Sequence, residues 1–248
     1  MSLAVGPWDI AEFGREHLPA VVGRLEGPHT FGIRLARGPV RVLDMPIKFP
    51  EDEWAIPINV TFVVGDAIAL AAEYENAIEP IEDKYVYITV DQKPVAPGTT
   101  QRREGWHSDA YLTDDHGRQY DITAPAEGPG DVERTYICYD RLATVFAPGP
   151  WALSAPNDCE TVLREFAEQI DPVRAVVHEP YTVLGLDPYC VHNGAPNRSS
   201  VEIPRTFVKV QFSRRMYNRQ GNTHNILLSY QWDMVPRDPE RREHRWAK

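Results

Sequence analysis

Proline and glycine cut this chain into short pieces, and that limits what it can fold into more than any other feature. The 22 prolines and 16 glycines among 248 residues are not gathered into a linker. They recur as punctuation at Gly38-Pro39, Pro97-Gly98, Pro129-Gly130, Pro148-Gly149-Pro150 and Ala195-Pro196-Asn197, each a place where a regular element ends and a turn forms readily. Between these breaks lie segments rich in β-branched and aromatic residues, which read as strands: Thr30 to Leu35, Ile56 to Val64, Tyr85 to Val90, Gln119 to Thr123, Thr135 to Tyr139, Tyr181 to Leu186, Thr206 to Ser213 and Ile226 to Val235. Only Asp9 to Leu18 and Asp158 to Ile170 read as helices. In the second, Val162, Leu163, Phe166 and Ile170 share one helical face, Asn157 stands where an N-cap belongs, and Pro172 closes the far end. Many short strands with a few outer helices predict a mainly β sandwich or barrel of the jelly-roll kind. No internal repeat or low-complexity tract interrupts it, so one domain over 1–248 is expected.

With 42% hydrophobic residues, a chain of this length can bury a sizeable core without disulfides or a structural metal. Lys and Arg total 26 against 36 Asp and Glu, a formal charge of -10. No broad basic surface is available to neutralise a phosphate backbone, so nucleic acid is not an expected partner. The three cysteines, Cys138, Cys159 and Cys190, are odd in number and lack CxxC spacing, which fits reduced thiols. The first eight residues carry no basic-then-apolar leader, and no run approaches the roughly 18 apolar residues of a membrane span. The expectation is a soluble, cytoplasmic protein without a membrane partner.

Chemistry concentrates in two places. In Gly105-Trp106-His107-Ser108-Asp109, a strand would put His107 and Asp109 on one face and offer a nitrogen and an oxygen to a shared point, half of a metal site. In Pro188-Tyr189-Cys190-Val191-His192-Asn193-Gly194-Ala195-Pro196-Asn197-Arg198, an apolar strand from Tyr181 runs into His192 before Gly194 and Pro196 break it, which sets His192 at a barrel rim. The next strand, Pro204 to Phe212, alternates strictly. Thr206, Val208, Val210 and Phe212 form an apolar face, and Arg205, Phe207, Lys209 and Gln211 a polar one. The polar face is either a solvated edge or the lining of a cavity that holds a ligand.

In this order, His107-x-Asp109, His192 with its Asn-Gly and Pro-Asn-Arg turn, and Arg205 opening the next strand resemble the Fe(II)/2-oxoglutarate-dependent oxygenase superfamily. The resemblance covers residues 80–235, which it implies form a double-stranded β-helix (jelly-roll, cupin-like), with 1–80 supporting or covering that core. It implies that His107, Asp109 and His192 ligate Fe(II), leaving positions for 2-oxoglutarate and O2, and that Arg205 grips the distal carboxylate of 2-oxoglutarate, since a guanidinium offers two parallel donors. Arg198 competes for that role from the loop. The complete triad points to hydroxylation, desaturation or ring formation rather than halogenation, with succinate and CO2 released and a small-molecule substrate whose pocket decides the outcome.

Other residues weigh less. Tyr111, on the face of His107 and Asp109, is a pocket candidate with Lys209, Gln211 and Arg103, while Trp106 is expected to turn into the core. Arg102 and Arg103 otherwise belong to a solvated loop. His116 lies in an acidic turn, His224 in a polar one, and His17, His29 and His244 lack partners at ligand spacing. His178 precedes Glu179-Pro180 and reads as structural. It becomes a ligand only in the rival reading, a cupin-like metalloenzyme that uses no 2-oxoglutarate. A third reading is a jelly-roll binding module without catalysis.

Overall fold

A computed structural model of the chain describes residues 2–26, 39–101, 104–109, 132–156 and 158–235. Among them two antiparallel sheets form the frame. The larger has six strands in the order β1 (Ala20–Arg24), β7 (Thr182–Leu186), β4 (Arg134–Tyr139), β9 (Ile203–Ser213), β3 (Tyr85–Val95) and β2 (Arg41–Lys48). The smaller has three, β6 (Val176–Val177), β5 (Thr144–Ala147) and β8 (Val191–Gly194). Helices α1 (Ile58–Ile78) and α2 (Cys159–Gln169) complete a mainly β fold of two antiparallel sheets. No described helix is long and apolar enough to cross a membrane.

Side-chain alternation sorts the core into layers. Val208, Val210 and Phe212 of β9, with Val86, Ile88 and Val90 of β3, turn outward and meet Val60, Val64, Ala67, Ile68 and Ala71 of α1. Those five helical positions recur at the spacing of a single face. Phe207, Ile137, Tyr139, Leu184 and Leu186 turn the other way and pack with Phe146 and Cys190 between the sheets. The outer face of the small sheet, through Ala147 and Val191, buries Val162, Leu163 and Phe166 of α2 together with Phe13, Trp151 and Tyr189.

Four expected strands lie in β3, β4, β7 and β9. Thr30 to Leu35 and Gln119 to Thr123 lie outside the described residues. Ile56 to Val64 is not a strand but the entry to α1; its β-branched residues suggested extension, yet the buried stripe of the full segment follows the helical period and prevails. Ile226 to Val235 is a turn at Ile226-Leu227 followed by irregular chain, apart from a single bridge of Val235 to Arg219. Asn225 accounts for this: its Oδ1 accepts from Leu227 N at 3.0 Å while Nδ2 donates to Pro46 O and Ala55 O at 2.8 and 2.7 Å, which pins the backbone as a turn. The first expected helix contracts to a 3-10 turn, Ile10–Gly14, capped by Asp9. The second forms as α2 with Asp158 at its N-cap, and Asn157 lies outside the described residues.

The outward face of the large sheet also carries a buried charge cluster. Glu75 of α1 is fully buried. It accepts from Arg134 Nε and Nη2, both at 2.8 Å, from Tyr136 Oη at 2.6 Å and from Lys84 Nζ at 2.5 Å. Glu79 pairs with the same Arg134 and Lys84.

Candidate metal centre

The run from Tyr181 to His192 is two strands rather than one. Asp187 turns the chain, its Oδ1 accepting from Tyr189 N at 3.0 Å and its carbonyl from Cys190 N at 3.2 Å, so that β7 ends in the large sheet and β8 begins in the small one. His192 on β8 then exchanges both backbone hydrogen bonds with His107, at 3.0 and 2.8 Å. Directly opposed residues bring their side chains together, and the two imidazole rings stand 4.4 Å apart, inclined by 55°. His107 Nδ1 lies 3.0 Å from Gly105 O, and His192 Nδ1 lies 3.0 Å from Cys190 O. A carbonyl only accepts, so each Nδ1 carries the proton and each Nε2 the lone pair. That tautomer and that kind of support are what a metal-binding histidine needs. The imidazole pair therefore fits a divalent metal.

The expected strand through Asp109 reduces to the single bridge at His107; the chain leaves the extended path at Ser108, and Asp109 sits in a 3-10 turn, half-buried. Among the described residues, no three His, Cys, Asp or Glu side chains form a group that could hold a metal ion. Asp109 lies close enough to act on a neighbouring side chain. Burial first, and then the Asp187 carboxylate, hold the Cys190 thiol well above its ordinary range, and the charge of Asp109 adds to them. Trp106 turns away from the pair and packs on the α2 side of the small sheet, as alternation predicts.

The polar face of β9 is neither solvated nor at an edge. β9 lies between β4 and β3, and Arg205, Lys209 and Gln211 are buried on the side of Phe207, towards the layer between the sheets. Phe146, in that same layer, packs its ring 5.9 Å from His192. Arg205 donates from Nε to Arg141 O at 2.7 Å and from Nη1 to Gln101 Oε1 at 2.5 Å, with its guanidinium over the Tyr139 and Phe207 rings. Arg198 is exposed, in a turn held by Asn197, whose Nδ2 donates to Val95 O and Val201 O at 2.8 Å. Tyr111 and Arg103, like Arg102 and His116, lie outside the described residues.

Sequence reasoning missed the partners of these groups. Asp44 Oδ1 lies 2.9 Å from Lys209 Nζ, Gln101 orients Arg205, and Tyr217 and Glu133 continue from Gln211. Apart from Tyr217, which follows Gln211 by six residues, these partners are distant in the chain, and none belongs to a motif; the one local sign was Asp44 itself, a charge inside the otherwise apolar run Val42 to Ile47. His178 stands 5.8 Å from the Phe146 ring, edge-on, and burial lowers its pKa.

No protein-family model and no curated protein sequence matches this chain. Among solved structures it is similar to EvdO2 from Micromonospora carbonacea var. aurantiaca, at 16% identity over 86% of this chain and 94% of that one, with a TM-score of 0.41. EvdO2 has also been solved with 2-oxoglutarate. AviO1 from Streptomyces viridochromogenes Tue57 matches at 16% identity over 82% and 93% of the two chains, with a TM-score of 0.38. ThoJ, a non-haem monooxygenase solved as a nickel complex, matches at 14% identity over 62% and 54%, with a TM-score of 0.33. Identities and scores this low assign no residue a role.

Proposed function

We propose that this protein is a non-haem Fe(II)/2-oxoglutarate-dependent oxygenase that hydroxylates or otherwise oxidises a small molecule. The observation that carries the reading is the facing pair His107 and His192, each held by a backbone carbonyl in the tautomer that leaves Nε2 to a metal. In this reading the two imidazoles and Asp109 hold Fe(II), and Arg205 receives the distal carboxylate of 2-oxoglutarate. Fe(II), when bound, supplies the oxidation of a C–H bond by O2, coupled to conversion of 2-oxoglutarate into succinate and CO2. The chain's own work is to fix the ring orientations, to hold the Arg205 guanidinium through Arg141 O and Gln101, and to bury those groups between the sheets, where charge-assisted bonds are strong.

The test is titration of the purified protein with Fe(II) under anaerobic conditions, followed by 2-oxoglutarate and O2. One divalent ion binds per chain, and succinate appears only when all three are present. His107→Ala and His192→Ala each weaken metal binding by at least about a hundredfold, more than the loss of a supporting hydrogen bond causes. Unchanged affinity in both variants rules the reading out. The cupin-like rival needs a further ligand and no 2-oxo acid. His178, its candidate, lies across the Phe146 ring from His192, which favours the first reading; turnover indifferent to 2-oxoglutarate would reverse that preference. Absence of metal binding would leave only the binding module.

A further inference from the structure

Beyond the metal pair, the inner face of the large sheet holds a second set of buried polar atoms. Gln211 is 95% buried, being 5% exposed, and its Nε2 donates to Tyr217 Oη at 2.6 Å. The orientation of this amide is fixed by its neighbours. Glu133, as a carboxylate, only accepts, and Tyr217 Oη donates its single proton to Glu133 Oε2 at 3.0 Å. Tyr217 can therefore only accept from Gln211, which must present its NH2 there and its carbonyl to the other side. Among the described residues, Gln211 Oε1 is buried without a hydrogen-bond partner. An acceptor left in that state costs about 1–3 kcal/mol.

Two residues along the same face of β9, Lys209 is also buried, and its Nζ meets Asp44 Oδ1 at 2.9 Å. This pair is built deliberately. The pairing of β2 with β3 shifts register between Val42 and Met45, and Asp44 within that bulge has a φ of +39°, a left-handed conformation uncommon outside glycine that aspartate tolerates better than most residues. Its place is secured by Thr89, whose Oγ1 donates to Asp44 Oδ1 at 2.9 Å and accepts from Asp44 N at 3.0 Å. Bulges re-aim side chains beside functional sites. Here the bulge neutralises Lys209, while an ammonium with three donors spends one of them on Asp44.

We infer that Lys209 and Gln211 form a recognition subsite for an uncharged group that carries both an acceptor and an N–H or O–H donor, a carboxamide or a pair of neighbouring hydroxyls. The ligand's acceptor meets Lys209 Nζ and its donor meets Gln211 Oε1. The two side chains stand on alternate residues of one strand face, about 7 Å apart along the strand. An anion would compete with Asp44 for the ammonium, and a cation would be repelled by it, so neutrality is part of the specificity. That this group belongs to the substrate rests on the oxygenase reading; the binding chemistry does not.

The test uses the whole chain without metal or 2-oxoglutarate, and three small probes followed by saturation-transfer NMR. Acetamide carries donor and acceptor as an amide, 1,2-ethanediol carries them as hydroxyls, and N,N-dimethylacetamide keeps the acceptor but has no donor. Acetamide, ethanediol or both bind, whereas dimethylacetamide binds about tenfold more weakly, the value of one neutral hydrogen bond; which of the first two binds more tightly tells an amide substrate from a hydroxylated one. Gln211→Leu reduces binding of the preferred probe by the same factor. Equal binding of dimethylacetamide, no binding of any probe, or full binding by Gln211→Leu overturns the subsite. If Gln211→Leu does not fold, a wild-type crystal soaked in the preferred probe decides: a probe donor on Gln211 Oε1 supports the inference, and a protein donor on that atom defeats it. Failure here leaves iron binding by His107 and His192 intact, and failure of iron binding leaves these results intact, so the two are separable.

Discussion

The two faces of the large sheet bury similar chemistry in opposite ways. On the outward face, Glu75 meets Arg134, Tyr136 and Lys84, and Glu79 meets the same two cations; the charges are matched within the protein. On the inward face, Arg205, Lys209 and Gln211 each have an identified partner, yet Gln211 Oε1 has none among the described residues. A buried polar cluster that closes on itself serves the fold, and one with capacity left over is suited to a ligand. The outward cluster depends most on Glu75. Glu75→Ala leaves the buried cations Arg134 and Lys84 to share Glu79 alone and lowers unfolding free energy by about 3–5 kcal/mol, read from denaturant curves. A loss under about 1 kcal/mol would mean that water reaches the cluster and that the two faces do not differ as described.

The next effect falls on the inward face. Arg205→Ala weakens 2-oxoglutarate binding by about ten- to a hundredfold, the worth of hydrogen bonds to a charged group, while metal affinity stays within a factor of about two. Arg205→Lys recovers part of the loss, because a point charge replaces a planar fork. Arg198→Ala, in the exposed turn braced by Asn197, changes neither quantity. Calorimetric titration of the three variants checks this, and loss of 2-oxoglutarate binding on Arg198→Ala would move the co-substrate out of the buried layer altogether.

How much of this the sequence revealed depended on whether the signal was local. The period-two alternation of β9 named both of its faces correctly, since alternation follows from strand geometry alone. The choice between a solvated and an enclosed polar face was not legible, because it depends on β9 lying between β3 and β4, a matter of long-range pairing. Ile56 to Val64 misled because β-branched side chains tolerate a helix when a sheet covers their buried stripe. At the candidate site, the sequence singled out His107 and His192 by motif but carried no trace of their shared backbone bridge. It also gave no sign that Asp109 leaves the strand path one residue after Ser108. The bulge at Asp44 was equally hidden, as it becomes visible only when β2 is laid against β3.

A third charge set, half-buried, responds to pH. His17, in the N-terminal segment, lies between Asp187 and Glu12, with Nδ1 at 3.2 Å from Asp187 Oδ2 and Nε2 at 3.4 Å from Glu12 Oε2, and its ring packs against Tyr189. Burial alone would lower the His17 pKa, but the hydrogen bond and charge of Asp187, with Glu12 behind them, outweigh it and leave it raised. Burial likewise works against the Asp187 carboxylate, and the bonds from His17, Ala4 N and Tyr189 N hold its pKa below the ordinary value. Folded protein thus keeps the His17 proton at pH values where the unfolded chain has released it. The stabilisation is complete below the ordinary histidine pKa of about 6.5 and is lost as pH rises through the raised folded value. The depressed Asp187 contributes above the ordinary carboxylate range and fails only in stronger acid. Wild-type protein therefore loses stability as pH climbs above about 6.5, by less than the Glu75 substitution costs, and His17→Gln is flat across that window. The Asp187 turn starts β8, so the same titration reports on the metal pair: His17→Gln leaves the divalent-metal affinity of His107 and His192 unchanged at pH 6, where the wild-type pair is fully formed. A matching fall in metal affinity would show that the charge set at the N-terminal segment positions the site rather than only the fold.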